Sequence, residues 1–204
     1  AGLLSGLGRG LRGRGDAAFR LLGLLVLASL PVIVVGGVLA LSGWQGALRD
    51  AQVVAWATLV FGVVLLVADR LFLTVRRLEH MKVSGALLIG LAQVLALIPG
   101  TSRAGITMTA ARMLGFERRD AARFSMLLSI PAIAGAGVLT GVELFQTGDA
   151  QLTFDAVIAA ALAFGFAIAA IAILMAWLRR STFTPFAVYR LILGGGLLIW
   201  IYAF

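Results

Sequence analysis

No cysteine occurs anywhere in the 204 residues, so disulfides, thiolate metal sites and cysteine nucleophiles are excluded from the outset. Histidine is almost absent: His80 stands alone in a charged loop beside Glu79, where an interfacial role outweighs a catalytic one. Charge is scarce as well, at 13% of residues, against about 25% in soluble domains. The sequence contains no paired carboxylates, metal-ligand cluster, Walker loop or dinucleotide fingerprint. Its start does not read as a secretory leader. The apolar run after Arg20 outlasts the roughly 7–15 residues of a leader's apolar core, and no A-x-A-like site ends it.

What fills the chain is apolar, with 61% of residues hydrophobic, and this composition belongs to the bilayer. Seventeen basic minus nine acidic residues leave a net charge of +8. The arginines lie in short clusters between apolar stretches, the pattern of cytoplasmic loops. They form no basic face on a polar domain, which excludes a nucleic-acid partner.

Residues 1–16, with Arg9, Arg12 and Arg14, read as a basic loop leading into a single membrane domain over 1–204. Spans are expected at 19–41, 53–75, 124–145, 154–178 and 186–204, each near the length that crosses about 30 Å of hydrocarbon as a helix. Pro31 falls inside the first span and is tolerable where neighbouring helices cover it. Trp44, Arg49 and Asp50 sit in a short loop, and Glu117, Arg118, Arg119, Asp120 and Arg123 read as a charged loop. The stretches 83–98 and 104–114 are too short to cross alone, and Pro99-Gly100-Thr101-Ser102-Arg103 lies between them. Loops 9–20, 76–82, 118–123 and 179–180 carry basic excess, whereas 49–50 and 143–155, with Glu143, Asp149 and Asp155, do not. The positive-inside rule then requires 83–114 to enter and leave on one side. The expected architecture is all-α and polytopic: about five transmembrane helices plus one re-entrant helix hairpin over 83–114.

The break carries the chemistry. Pro99 cannot continue a helix, and Gly100 permits unusual dihedrals. Thr101 or Ser102 can cap the second half-helix, whose first-turn N–H groups lack partners and attract anions. Arg103 opposes the helix dipole there unless an anion is bound, and a guanidinium grips phosphate oxygens in bidentate fashion. Gly105 would admit a ligand or another backbone, while Thr107 and Thr109 can bond back to their own helix. The plainer alternative is a Pro-Gly kink with Arg103 satisfied by a buried acid or by carbonyls. Gln93 either faces the cavity or bonds between helices. Asp69 and Arg70 read as interface anchors or as one member of an interhelical pair, and Arg190 reads as snorkelling to the surface. Gly135-Ala136-Gly137 and Gly194-Gly195-Gly196 are expected to allow close helix packing.

Gly90 to Gly137, GLAQVLALIPGTSRAGITMTAARMLGFERRDAARFSMLLSIPAIAGAG, resembles the second signature region of the bacterial undecaprenyl-diphosphate phosphatases of the bacitracin-resistance type. The usual motif reads PG-x-SR-S-G, with Ala104 here in place of the second serine. The Pro31 span, the Asp69-Arg70 span and the PFAVYR segment from Pro185 to Arg190 follow in the matching order, so the resemblance covers about 17–204. It implies an inverted-repeat fold with two re-entrant hairpins in the bacterial inner membrane. It also implies hydrolysis of undecaprenyl diphosphate to the monophosphate, which recycles the carrier lipid for cell-wall synthesis, with magnesium or calcium in support. Catalytic roles would fall on Ser102 and Arg103, and substrate contacts on Gly100, Thr101, Gly105 and Gln93. The implied partners are a polyprenyl diphosphate and bilayer lipids, with a homodimer allowed. The family's first signature, a Glu-rich stretch like EG-x-TEFLP-x-SSTGH, has no counterpart here, so the metal ligands are expected outside this chain and the sequence reads as truncated. A lipid-phosphate or anion transporter, or a non-catalytic remnant that binds polyprenyl phosphates, stays open beside the enzyme.

Overall fold

The computed structural model describes residues 17–42, 50–72, 75–147 and 150–203. The basic segment 1–16, Trp44, Arg49 and Asp149 lie outside the described residues. So does the side chain of Glu143.

Among the described residues seven α-helices follow in order: α1 Ala17–Ser42, α2 Ala51–Leu71, α3 Val83–Val94, α4 Arg103–Met113, α5 Arg118–Thr147, α6 Ala150–Trp177 and α7 Thr184–Ala203. A 3-10 turn, Leu95–Leu97, extends α3. Five of the seven are long and apolar enough to cross a membrane, namely α1, α2, α5, α6 and α7. Asp50 starts α2 by accepting the Gln52 N–H at 2.8 Å, and the extended backbone at Phe72 ends it. Pro31 lies inside α1 and Pro131 inside α5.

The fifth helix corrects the sequence expectation. Residues 118–123 are not a charged loop but the first turns of α5. Two of their charges, on Arg118 and Asp120, are met by partners distant in sequence, while Arg119 and Arg123 are exposed. Asp120 accepts the Leu78 N–H at 3.2 Å, and Arg118 Nε donates to Asp69 at 2.7 Å. An acid in the first turn also suits the helix dipole.

The short helices α3 and α4 pack against each other, and their outer ends are tied together. Arg76 and Phe116 form an isolated parallel bridge. The Val75 and Arg76 N–H groups donate to Gly115 O at 3.1 and 2.9 Å, and Glu117 N–H donates to Arg76 O at 2.9 Å. The chain therefore leaves this helix pair beside the point where it entered.

Asp69 organises that closed end. Its carboxylate is fully buried and lies 3.1 Å from Arg112 Nε and 2.7 Å from Arg118 Nε. The second carboxylate oxygen accepts the Phe183 N–H at 3.1 Å, just before α7 begins. Arg112 also donates to the carbonyls of Asp69 (2.9 Å) and Phe116 (3.0 Å). Of the two readings of Asp69, the interhelical pair is the one realised, whereas Arg70 is exposed.

Close helix contacts are made at glycines, at Gly90 and Gly194 most tightly. A Cβ on Gly90 of α3 would strike the backbone of Ala28 in α1, with the Ala28 Cα 2.8 Å away. A Cβ on Gly194 of α7 would lie 2.8 Å from the Leu59 nitrogen in α2. Gly135 and Gly137 do not perform this task. No described atom lies within 4 Å of a Cβ at either position, and the same is true of Gly195 and Gly196. The outlying helix α6 packs on α5 and, through Leu174 and Met175, on the cluster around Leu178 and Phe183, while most of its remaining length is apolar and exposed, which suits a hydrocarbon solvent.

Candidate active site

The turn between α3 and α4 is held from three sides. From α2, the Thr58 hydroxyl donates chiefly to the Val54 carbonyl of its own helix at 2.7 Å and shares that proton more weakly with the Gly100 carbonyl at 3.2 Å. From α7, Arg190 Nη2 donates to the same Gly100 carbonyl at 2.7 Å. From α5, Ser125 reaches the first turn of α4. Gly100 has φ +89° and its Cβ position is filled by the Val54 carbonyl of α2, so only glycine fits.

Ser102 is the N-cap of α4. Its Oγ accepts the Gly105 N–H at 3.2 Å, and its φ of 65° is the only positive value at a non-glycine position among the described residues. Because Oγ is used there as an acceptor, its O–H proton stays free to donate. Ser102 is exposed, while Thr101 is fully buried and its hydroxyl has no hydrogen-bond partner. Thr107 and Thr109 do bond back to their helix, at 2.9 Å to Arg103 O and 2.7 Å to Gly105 O.

Arg103 is half-buried, and its Nη1 is enclosed without a hydrogen-bond partner. Neither Arg103 nor Arg190 forms an ion pair with a carboxylate among the described residues. The alternative in which a buried acid satisfies Arg103 therefore finds no such acid there. Arg190 overturns its expected role. It does not snorkel outward but lies across the turn, with Nη1 3.8 Å from the Cβ position of Gly105 and a buried, unpartnered Nε. Arg103 on the first turn of α4, Arg190 laid across the loop from α7 and the N-terminal end of α4 are thus gathered at one short loop, all of one electrostatic sign.

The structure brings together Gly100, Thr101, Ser102, Arg103 and Gly105, and adds Thr58 and Arg190. Gln93 is fully buried on the α3 face that carries Gly90, and neither amide atom has a hydrogen-bond partner, so no bond joins it to the turn. His80 lies beyond the opposite end of α3, where its Nδ1 accepts the Arg77 N–H at 3.1 Å. A signal for Arg190 did exist: an ionisable residue within an apolar span points to a functional site by default. Thr58 gave none.

These residues do not fit a divalent metal. The turn offers guanidinium, amide and hydroxyl groups, while hard cations take carboxylate and carbonyl oxygens in numbers. No group of three or more His, Cys, Asp or Glu side chains gathers among the described residues.

Five apolar helices of bilayer length among the described residues make this a multi-pass α-helical membrane protein. The profile of the family described as bacitracin resistance protein BacA matches residues 2–196, and the chain belongs to that family. It is 50% identical to undecaprenyl-diphosphatase 1 of Rhodospirillum rubrum, over 99% of this chain and 72% of that protein. It is 47% identical to the undecaprenyl-diphosphatase of Dinoroseobacter shibae, over 98% of this chain and 75% of the relative. The corresponding protein of Ruegeria pomeroyi is 45% identical, over 94% and 72%.

Proposed function

We propose that the chain is an undecaprenyl-diphosphate phosphatase of the bacterial inner membrane, converting undecaprenyl diphosphate and water to undecaprenyl phosphate and inorganic phosphate. The observation that carries this reading is the pair of arginines, Arg103 and Arg190, whose buried N–H groups lack partners at the start of α4. In this reading the α3–α4 pair is a re-entrant hairpin whose tip meets the diphosphate within the membrane. The bonds that close its outer end, between 75–76 and 115–117, support that disposition.

Water attacks the terminal phosphorus, the bond from that phosphorus to the bridging oxygen breaks, and the lipid monophosphate leaves. Negative charge grows on the bridging oxygen and is spread over the transferred phosphoryl group. Arg103 holds the phosphoryl oxygens and stabilises that charge. Ser102 donates its free O–H to a phosphate oxygen. Magnesium or calcium, where it assists, takes ligands other than the residues of this turn, and no step above depends on it.

The test is phosphate release from undecaprenyl or farnesyl diphosphate by the full-length protein in detergent. Arg103→Ala should slow it by about two orders of magnitude, as other losses of an oxyanion stabiliser do. Equal rates would reject the role. Movement of labelled lipid phosphate across liposomes without hydrolysis would instead assign a carrier, since transporters also build sites from broken helices. Binding without turnover in magnesium or calcium would assign a lipid-binding protein.

A further inference from the structure

Arg103 has no side-chain bond that fixes its direction among the described residues, so its aim depends on the backbone of the first turn of α4. That turn is gripped from α5. Ser125 is buried, and a buried hydroxyl in an apolar helix is ordinarily satisfied by the carbonyl one turn back in its own helix. Ser29 does this with Leu25 O at 2.8 Å. Ser125 instead bonds across the helix interface, with its Oγ 2.6 Å from Thr107 Oγ1 and 3.4 Å from Ala104 O. Thr107 Oγ1 lies 2.9 Å from Arg103 O and 3.2 Å from Ala104 O.

Two hydroxyls supply two protons, and the distances favour one arrangement. Ser125 donates to Thr107 over the short contact, and Thr107 then donates to the Arg103 carbonyl. The chain of bonds fixes the rotation of α4 about its axis at the residue whose side chain must meet the phosphate.

We propose that Ser125 is a positioning residue that, through Thr107, sets the direction of Arg103 towards the diphosphate. This rests on the phosphatase reading of the turn. Rate should depend on it more than binding does, because a small misorientation of a charge stabiliser is felt mainly in the transition state.

The experiment uses the full-length protein with Ser125→Ala, Thr107→Val and the double variant, assayed on farnesyl diphosphate. Ser125→Ala should lower kcat about ten- to a hundredfold, as displacements of about 1 Å can do, with KM and the thermal midpoint unchanged. The double variant should be no slower than the slower single variant, because both changes cut one chain of bonds. Backbone amide exchange at residues 104–107 should quicken in Ser125→Ala. Ser125→Cys keeps the volume with a weaker donor and should fall between, which protects the test should the alanine variant fail to fold. A wild-type kcat, additive losses or unchanged amide exchange would each overturn the proposal. If the parent protein hydrolyses nothing, the phosphatase reading fails by itself. The Ser125 inference is then read from backbone amide exchange at residues 104–107 alone, and exchange unchanged in Ser125→Ala overturns it.

Discussion

Arg190, on the last helix, donates from Nη2 to the carbonyl of Gly100 at 2.7 Å, across 90 positions of sequence. The bond uses one arm of the guanidinium and leaves Nε enclosed without a partner. A single neutral acceptor does not repay the burial of a cation, so an anion at the turn is the natural complement.

Arg190 should therefore be needed for turnover as well as for the shape of the turn. Arg190→Ala is expected to reduce phosphate release from farnesyl diphosphate by about a hundredfold, the scale for loss of a charge stabiliser. Arg190→Lys keeps the charge but lacks the planar fork, and should recover only part of the rate. An Arg190→Ala protein with the parent rate would return Arg190 to a packing role.

The hub at Asp69 makes a prediction about stability. Asp69→Asn leaves Arg112 buried without its counter-charge and weakens the hold on Arg118 and on the Phe183 N–H. Breaking such a pair costs about 3–5 kcal/mol. Thermal unfolding in detergent should show a large drop, while Arg70→Gln, one position along and exposed, should leave the midpoint unchanged. Equal midpoints for Asp69→Asn and the parent would contradict the hub.

The glycines separate packing from composition. Gly90→Ala must push a methyl into the Ala28 backbone, which cannot rotate aside, and overpacking of this kind costs about 1–3 kcal/mol or more. Gly135→Ala meets open space in the middle of α5 and should be neutral, or stabilising by up to about 1 kcal/mol through helix propensity. Melting curves of the two variants, taken in one detergent, decide this. Matching shifts would mean that α1 and α3 are not in contact at Gly90.

Those two glycines also mark how far the sequence could be read. Span lengths and loop charges suffice for the five long helices and for the pairing of the two short ones, because bilayer thickness and arginine asymmetry act on local composition. PGTSR was legible because a proline, a glycine, two hydroxyls and an arginine in one polar break have few joint explanations. Gly90 and Gly135 look alike in sequence, since each sits in an apolar run and differs only in what faces it. Arg190 was misread for the same reason: near a span end, an arginine that snorkels and one that turns inward have identical neighbours in sequence. Residues 118–123 were misread because the groups that meet Arg118 and Asp120, namely Asp69 and the Leu78 N–H, come from about 40 to 50 positions earlier.

Ser102 joins backbone conformation to chemistry, and one substitution can part them. Its φ of 65° is unfavourable for any residue with a Cβ, while its Oγ caps α4 through the Gly105 N–H. Ser102→Gly removes the strain and the hydroxyl together. A glycine cap costs only a few tenths of a kcal/mol, so the protein should melt at or slightly above the parent midpoint. Ser102→Ala keeps the Cβ at positive φ and loses the cap, and should be less stable by about 1 kcal/mol or more. Should Ser102 serve only to shape the turn, Ser102→Gly would hydrolyse farnesyl diphosphate as fast as the parent and Ser102→Ala more slowly. Should its O–H donate to the phosphate, both variants lose rate to a similar degree despite opposite shifts in stability. That second pattern is the expected one, because the Ser102 oxygen is already engaged as an acceptor and its proton is the part left over for substrate.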